Sequence, residues 1–121
     1  MGTTSSAQPV RGDVWFVDLS ERPKGREQAG NRPALVLSTD KFNLGPADLI
    51  IVLPISSVAK GIPLHVEINP PEGGVKQRSF IKCEAIRSID KVRLLELMGH
   101  VRDRTLEQVE DRIKILLDLR P

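Results

Sequence analysis

The sequence predicts a mainly β domain closed by one C-terminal helix: a compact, strongly bent antiparallel sheet or small barrel with the helix packed on it. Three observations predict this. About six short runs of strand-forming residues recur between Arg11 and Val101, separated by loops that carry glycine and proline. From Thr105 onward the apolar residues fall at helical spacing instead. The 121 residues are 40% hydrophobic and 28% charged. That suits one globular domain of the common ~100–150-residue size, able to bury a core without disulfide or metal staples.

Residues 1–10 are small and polar and are read as a disordered tail, leaving one domain over residues 11–121. Gly12 to Leu19 (GDVWFVDL) has apolar residues on both alternating faces, as a central strand does. Glu21 to Asn31 is a long loop with Pro23, Gly25 and Gly30, and Pro33 to Thr39 is a second strand with proline at its first position. Asp40 caps a short helical turn that ends at Gly45-Pro46. Leu49 to Ile55 (LIIVLPI) is continuously apolar and is expected to be buried on both faces.

Leu64, Val66 and Ile68 alternate with His65 and Glu67, the pattern of a half-exposed strand. Ser79 to Ile86 should pair with it across a loop containing Pro70-Pro71 and Gly73-Gly74. Leu97 to Val101 is the last strand, with Gly99 marking a bulge or a close approach. Thr105 and Gln108 fit a capping box for the helix, in which each side chain satisfies a backbone N–H. Leu106, Val109, Ile113, Leu116 and Leu117 then form one apolar stripe.

Several function classes are excluded or unsupported. One cysteine, Cys83, rules out an internal disulfide, and two histidines make a closed zinc site unexpected; no metal or other cofactor is expected. No apolar run approaches the ~20 residues of a membrane span, and Met1 to Pro9 lack the order of a secretory signal, so the expected location is cytoplasmic, off any membrane. Phosphate-loop, dinucleotide and His-Glu-x-x-His motifs are missing. His65 and His100 are expected to be solvent-exposed, and Cys83 and Trp15 to be core. The net charge of +2 does not by itself identify a nucleic-acid binder.

Local charge is more informative. Arg22, Lys24, Arg26 and Arg32 outnumber Glu21 and Glu27 in the first long loop, and Lys76, Arg78 and Lys82 outnumber Glu72 in the later one. These read either as solvated loops or as positive surfaces. Glu27, Gln28, Asn31 and Arg32 stand together before a strand, and Pro33 holds Arg32 extended, so its guanidinium is aimed and able to grip a phosphate. Ser56 and Ser57 emerge at the end of the apolar strand, as turn residues or as hydroxyls at the rim of the sheet.

From Arg11 to Leu119 the chain resembles the MazF/PemK family of toxin endoribonucleases from bacterial toxin–antitoxin pairs. The resemblance rests on Arg11-Gly-Asp-Val-Trp, Glu27-Gln-Ala-Gly-Asn-Arg-Pro33, Leu53-Pro-Ile-Ser-Ser57, Ile62-Pro-Leu-His-Val-Glu-Ile68 and Cys83-Glu-Ala-Ile-Arg-Ser-Ile-Asp90, in that order. It implies an SH3-like barrel of the MazF/CcdB type with a C-terminal helix, acting as a homodimer. It also implies sequence-specific cleavage of single-stranded RNA without a metal, blocked by a cognate MazE-like antitoxin. The family's catalytic arginine and strand-end hydroxyl fall on Arg32 and Ser56, with serine where many relatives have threonine.

RNA brings its own nucleophile, the ribose 2′-hydroxyl, so the expected chemistry is to align it and stabilise a dianionic phosphorane. Arg32 suits that charge, and Ser56 can donate to a nonbridging oxygen. Glu27 is either the base or the group that orients Arg32. Gln28, Asn31, Ser57 and Glu84 are candidate base or backbone contacts, and Lys76, Arg78 and Lys82 candidate phosphate contacts. Arg87 fits a phosphate contact or an ion pair with Asp90. Ala85 stands where relatives often carry glutamine, so no target sequence is carried over. With only three Phe, one Trp and no Tyr, stacking surfaces are scarce, and Phe42 and Phe80 are the candidates. The alternative function is a non-catalytic toxin of the same fold that poisons a protein target such as DNA gyrase, or an RNA-binding domain without catalysis.

Overall fold

The structure, a computed structural model, describes residues 8–20 and 30–120. Its strands are β1 (Asp13–Asp18), β2 (Asn31–Val36), β3 (Leu49–Ser56), β4 (His65–Ile68), β5 (Ser79–Lys82), β6 (Arg87–Asp90) and β7 (Leu94–His100). A single-turn helix α1 (Asp40–Asn43) follows β2, and α2 (Asp103–Leu117) closes the domain. Every pairing is antiparallel, in the order β4–β5–β3–β2–β1–β7, with β6 also joined to β3. The mainly β architecture with a terminal helix is the one expected.

The central strands are buried on both faces, as their unbroken apolar runs require. Val14, Leu35, Leu53 and Ile55 turn to one core, shared with Val66, Ile68 and Ile81 and with Val109 and Ile113 of α2. Trp15, Val17, Ala34, Val36, Ile50 and Val52 turn to a second core on the opposite face. Each such side chain removed from water contributes roughly 1.5–3 kcal/mol before conformational entropy is set against it.

One expected strand is two. Ser79 to Ile86 does not run straight: β5 ends at Lys82, Cys83–Ala85 forms a 3-10 turn, and β6 begins at Arg87. The reason lies in register. Ile55 pairs with Ile81 and Val52 with Arg87, so three steps along β3 face six on the other side. The turn takes up the surplus and frees β5 to pair with β4 as well. β3 therefore carries β6 along its first half and β5 along its last two residues, which bends the sheet.

The start of α2 differs from the capping box. Arg102 occupies the cap position without a side-chain bond, and Thr105 turns inward. Its hydroxyl donates to the carboxylate of Glu72, a side chain that is 7% exposed and that also accepts the backbone N–H of Arg102 at 3.0 Å. A distant buried acid thus satisfies the helix end and outcompetes the local pair. Glu72 reaches there because its loop crosses β7 closely: a Cβ on Gly99 would lie 2.7 Å from the backbone of Gly73 and Gly74. That is the expected close approach, and the β1–β7 register also shifts between Val14 and Trp15. Leu117 departs from the expected stripe; on the last helical turn it is exposed. The cap of α1 is Thr39 rather than Asp40, its hydroxyl accepting the N–H of Phe42.

Candidate active site

Two successive strand pairings set Ser56, Phe80 and Glu67 in one row, and a third places Arg32 on the strand beside it. β2 and β3 pair as far as Ala34 with Pro54, so Arg32 and Ser56 each lie two residues beyond that pair, on the same alternation. Ser56 pairs with Phe80 of β5, and Phe80 with Glu67 of β4. Directly opposed residues of antiparallel strands share a face, at strand spacings of roughly 5 Å. Ser56, Phe80 and Glu67 therefore stand side by side across three strands, with Arg32 on the neighbouring β2. Two residues along the strands, His65 pairs with Lys82 on the same face.

Ser56 ends β3 as the chain turns away. Its Oγ accepts the backbone N–H of Val58 at 3.1 Å, which orients the hydroxyl and leaves its proton to donate elsewhere. Ser57 is exposed in the bend beyond. Arg32 is partly buried near the start of β2, directly before Pro33. Asn31 lies on the opposite alternation from Arg32, so the two side chains do not leave the same face. Glu27 and Gln28 lie outside the described residues.

Lys82 is the electrostatic centre of this end. Burial holds its ammonium below the ordinary lysine range, and the charges of Lys60 and Arg32 push the same way, against the opposing pull of Glu84. Lys60, Arg32 and Glu84 thus all act on the Lys82 ammonium. Lys60, in the segment after Ser57, was not a candidate from sequence; a lysine four residues beyond the strand-end hydroxyl was the available signal.

Glu84 stands on the 3-10 turn rather than on a strand alternation, and its carboxylate accepts from Nε2 of His65 at 2.8 Å. His65 was expected to be exposed and is not: its side chain is 4% exposed, because the turn folds Glu84 against the ring. Its Nδ1 is buried without a hydrogen-bond partner among the described residues. His100 is half exposed as its place near the chain's last strand suggested, with Nδ1 3.0 Å from the buried carboxylate of Asp13.

Arg78 is engaged within the row. It donates from Nε and a terminal nitrogen to the two oxygens of Glu67, at 2.8 and 3.2 Å, and its guanidinium lies 5.1 Å from the Phe80 ring centroid. The pairing holds the Glu67 carboxyl below its usual range. Lys76 is exposed in the bend before β5. Arg87 opens β6, alongside Val52; Asp90 accepts the N–H of Val92, closing the next turn. Phe42 sits on α1, beyond the other end of β2. Cys83 is core, and burial raises its thiol to about 11, so it offers no thiolate near neutrality. Trp15 is core as expected. Among the described residues no group of His, Cys, Asp and Glu is arranged to hold a metal, and no helix is long and apolar enough to cross a membrane.

The described residues thus put an arginine before Pro33, a strand-end hydroxyl and a buried lysine at one end of the sheet. Residues 10–117 match the family model of the PemK-like, MazF-like toxins of type II toxin–antitoxin systems. The chain belongs to that family. The endoribonuclease EndoA of Bacillus subtilis (strain 168) is 38% identical over 110 residues, which cover 90% of this chain and 94% of that one. A crystal structure of MazF from Deinococcus radiodurans, 31% identical, matches with a TM-score of 0.80 over 93% of this chain and 98% of that one. A MazE–MazF structure from the same organism matches at 28% identity and a TM-score of 0.75, over 94% and 99% of the two chains. The SH3-like barrel of the MazF type expected for this member of the family is therefore its fold.

Proposed function

We propose that this member of the MazF-like family is an endoribonuclease toxin that cleaves single-stranded RNA by attack of the ribose 2′-hydroxyl. The observation that carries the proposal is the β2–β3 pairing, which ends two residues short of both Arg32 and Ser56 on one alternation, with the charge of Arg32 felt at Lys82. The 2′-oxygen bonds to phosphorus and loses its proton to a base. The phosphorane then breaks its bond to the 5′-oxygen, which leaves with a proton, giving a 2′,3′-cyclic phosphate and a 5′-hydroxyl end. Arg32 stabilises the dianion through charge and a planar donor fork, and Ser56 donates to a nonbridging oxygen. Guanidinium scarcely deprotonates, so the base is a carboxylate, and Glu27 is assigned that role or the orientation of Arg32. Lys82 and Lys60 lower the cost of bringing in the phosphate. Ser57, Lys76, Gln28, Asn31 and Glu84 are proposed contacts to the flanking RNA.

No step needs a metal, since the substrate supplies the nucleophile and fixed cations supply the charge. The relatives' names as endoribonucleases support the activity. The MazE–MazF structures of the relative support a MazE-like antitoxin as partner. A homodimer is proposed as the working form, supported by the exposed Leu95 and Leu97 on the outer strand β7, and sedimentation tests it. A cytoplasmic location goes with this role.

Sequencing the 5′ ends of fragments from a mixed transcript pool, with EDTA present, tests the activity and yields the recognition sequence. Ser56→Ala should lose cleavage and keep RNA affinity. A toxin that instead poisons a protein target would leave the pool uncut and be indifferent to that change.

A further inference from the structure

Of the four aromatic side chains, Trp15 is buried, Phe42 lies beyond the far end of β2 and Phe16 pairs with Pro33, on the opposite alternation from Arg32, whereas Phe80 is partly exposed in the same row as Ser56. Its direct register partner is Ser56 itself. Above the ring lies a planar group, the Arg78 guanidinium, 5.1 Å from its centroid. That group is held by two hydrogen bonds to Glu67, which is positioned in turn by the side-chain amide of Asn69 at 3.2 Å. A flat cation thus rests where a flat base would stack, one strand away from the hydroxyl assigned to the scissile phosphate.

The cover is removable. Arg78 and Glu67 are both largely in solvent, with side-chain exposures of 62% and 42%, and an ion pair so placed is weak. An incoming RNA offers Arg78 a phosphate in exchange for the carboxylate, and offers Phe80 a base in exchange for the guanidinium. Neither exchange leaves a buried charge unpaired.

We propose that Phe80 is a nucleobase-stacking shelf beside the scissile phosphate, and that Arg78, clamped by Glu67, covers the shelf until RNA displaces it. The shelf rests on the proposed RNA-cleaving function, and its test is made on binding so that the two stand or fall separately. The probe is a pool of random-sequence 12-nucleotide RNAs with 2′-O-methyl ribose throughout, which cannot be cut. Phe80→Ala should weaken binding by roughly 5- to 150-fold, the range for one stacked base. Phe80→Trp should restore it, while Phe80→Leu, which keeps apolar bulk for folding, should not. Glu67→Gln should tighten binding by releasing the cover, and that gain should vanish in the Phe80→Ala background, whereas a gain from removing negative charge alone would persist there. Unchanged affinity in both Phe80→Ala and Phe80→Leu, or a Glu67→Gln gain independent of Phe80, overturns the shelf. Phe80-dependent binding by a protein that cuts no transcript overturns the nuclease assignment and leaves the shelf standing.

Discussion

The two halves of β3 obey different rules. From Leu49 to Val52 the strand pairs with β6, Ile50 and Val52 are fully buried, and the partner of Ile50, Ile89, is apolar too. From Ile55 to Ser56 the partner is β5, and the outward residues of the row are a hydroxyl, a ring and a carboxylate. One half presents a fully buried face to a core, the other ends on a face of polar and aromatic side chains. Stability and activity should therefore separate along a single strand.

Ile50→Ala should show the largest effect on stability, ~2–5 kcal/mol in urea unfolding, because it empties a cavity in a two-sided core. The fraction that stays folded should keep its specific activity. Arg32→Ala should do the reverse: single-turnover cleavage falls by about 10²–10³, or ~2.7–4 kcal/mol of transition-state stabilisation, with the unfolding midpoint nearly unmoved. A loss of stability in Arg32→Ala comparable to that in Ile50→Ala would erase the division between the halves.

What could be read from sequence follows the same division. The runs GDVWFVDL and LIIVLPI announce strands buried on both sides because every alternation is apolar, and a pattern of that kind needs no knowledge of neighbours. The break at Cys83–Ala85 has no glycine or proline to mark it; it exists because β5 and β6 sit on β3 in registers three residues apart, a tertiary fact. His65 shows the same limit: its alternation is that of a solvent face, and only the turn carrying Glu84 covers it. The proposed site residues Arg32 and Ser56 are visible as an aimed arginine and a strand-end hydroxyl, yet their place on neighbouring strands depends on the β2–β3 pairing, which neither segment encodes alone.

Glu72 offers a test on the far side of the molecule, where a helix end relies on a carboxylate from a distant loop. Glu72→Ala should cost about 1–3 kcal/mol, since the N–H of Arg102 and the hydroxyl of Thr105 lose a buried acceptor together. Amide exchange should quicken first at the start of α2, and Thr105→Ala should cost less than Glu72→Ala. If instead Gln108 formed the cap, Gln108→Ala would be the damaging change.

The smallest expected effect is also the most direct evidence that the polar half of the sheet trades stability for anion binding. Lys82 has its folded pKa lowered, mainly by burial. Well below that lowered value both folded and unfolded chains hold the proton, and the fold bears the whole desolvation penalty. Between it and the ordinary value of ~10.4 the unfolded chain binds more protons, so the stability contributed at this position rises with pH, and above ~10.4 the penalty is gone. Lys82→Leu should thus be more stable than the parent at pH 7, with the advantage shrinking as pH climbs through that window. It should also bind RNA more weakly, with a salt dependence shallower by about one counterion. A Lys82→Leu protein that gains stability at pH 7 without losing any salt dependence would place the lysine in the packing of the sheet and outside the RNA cleft.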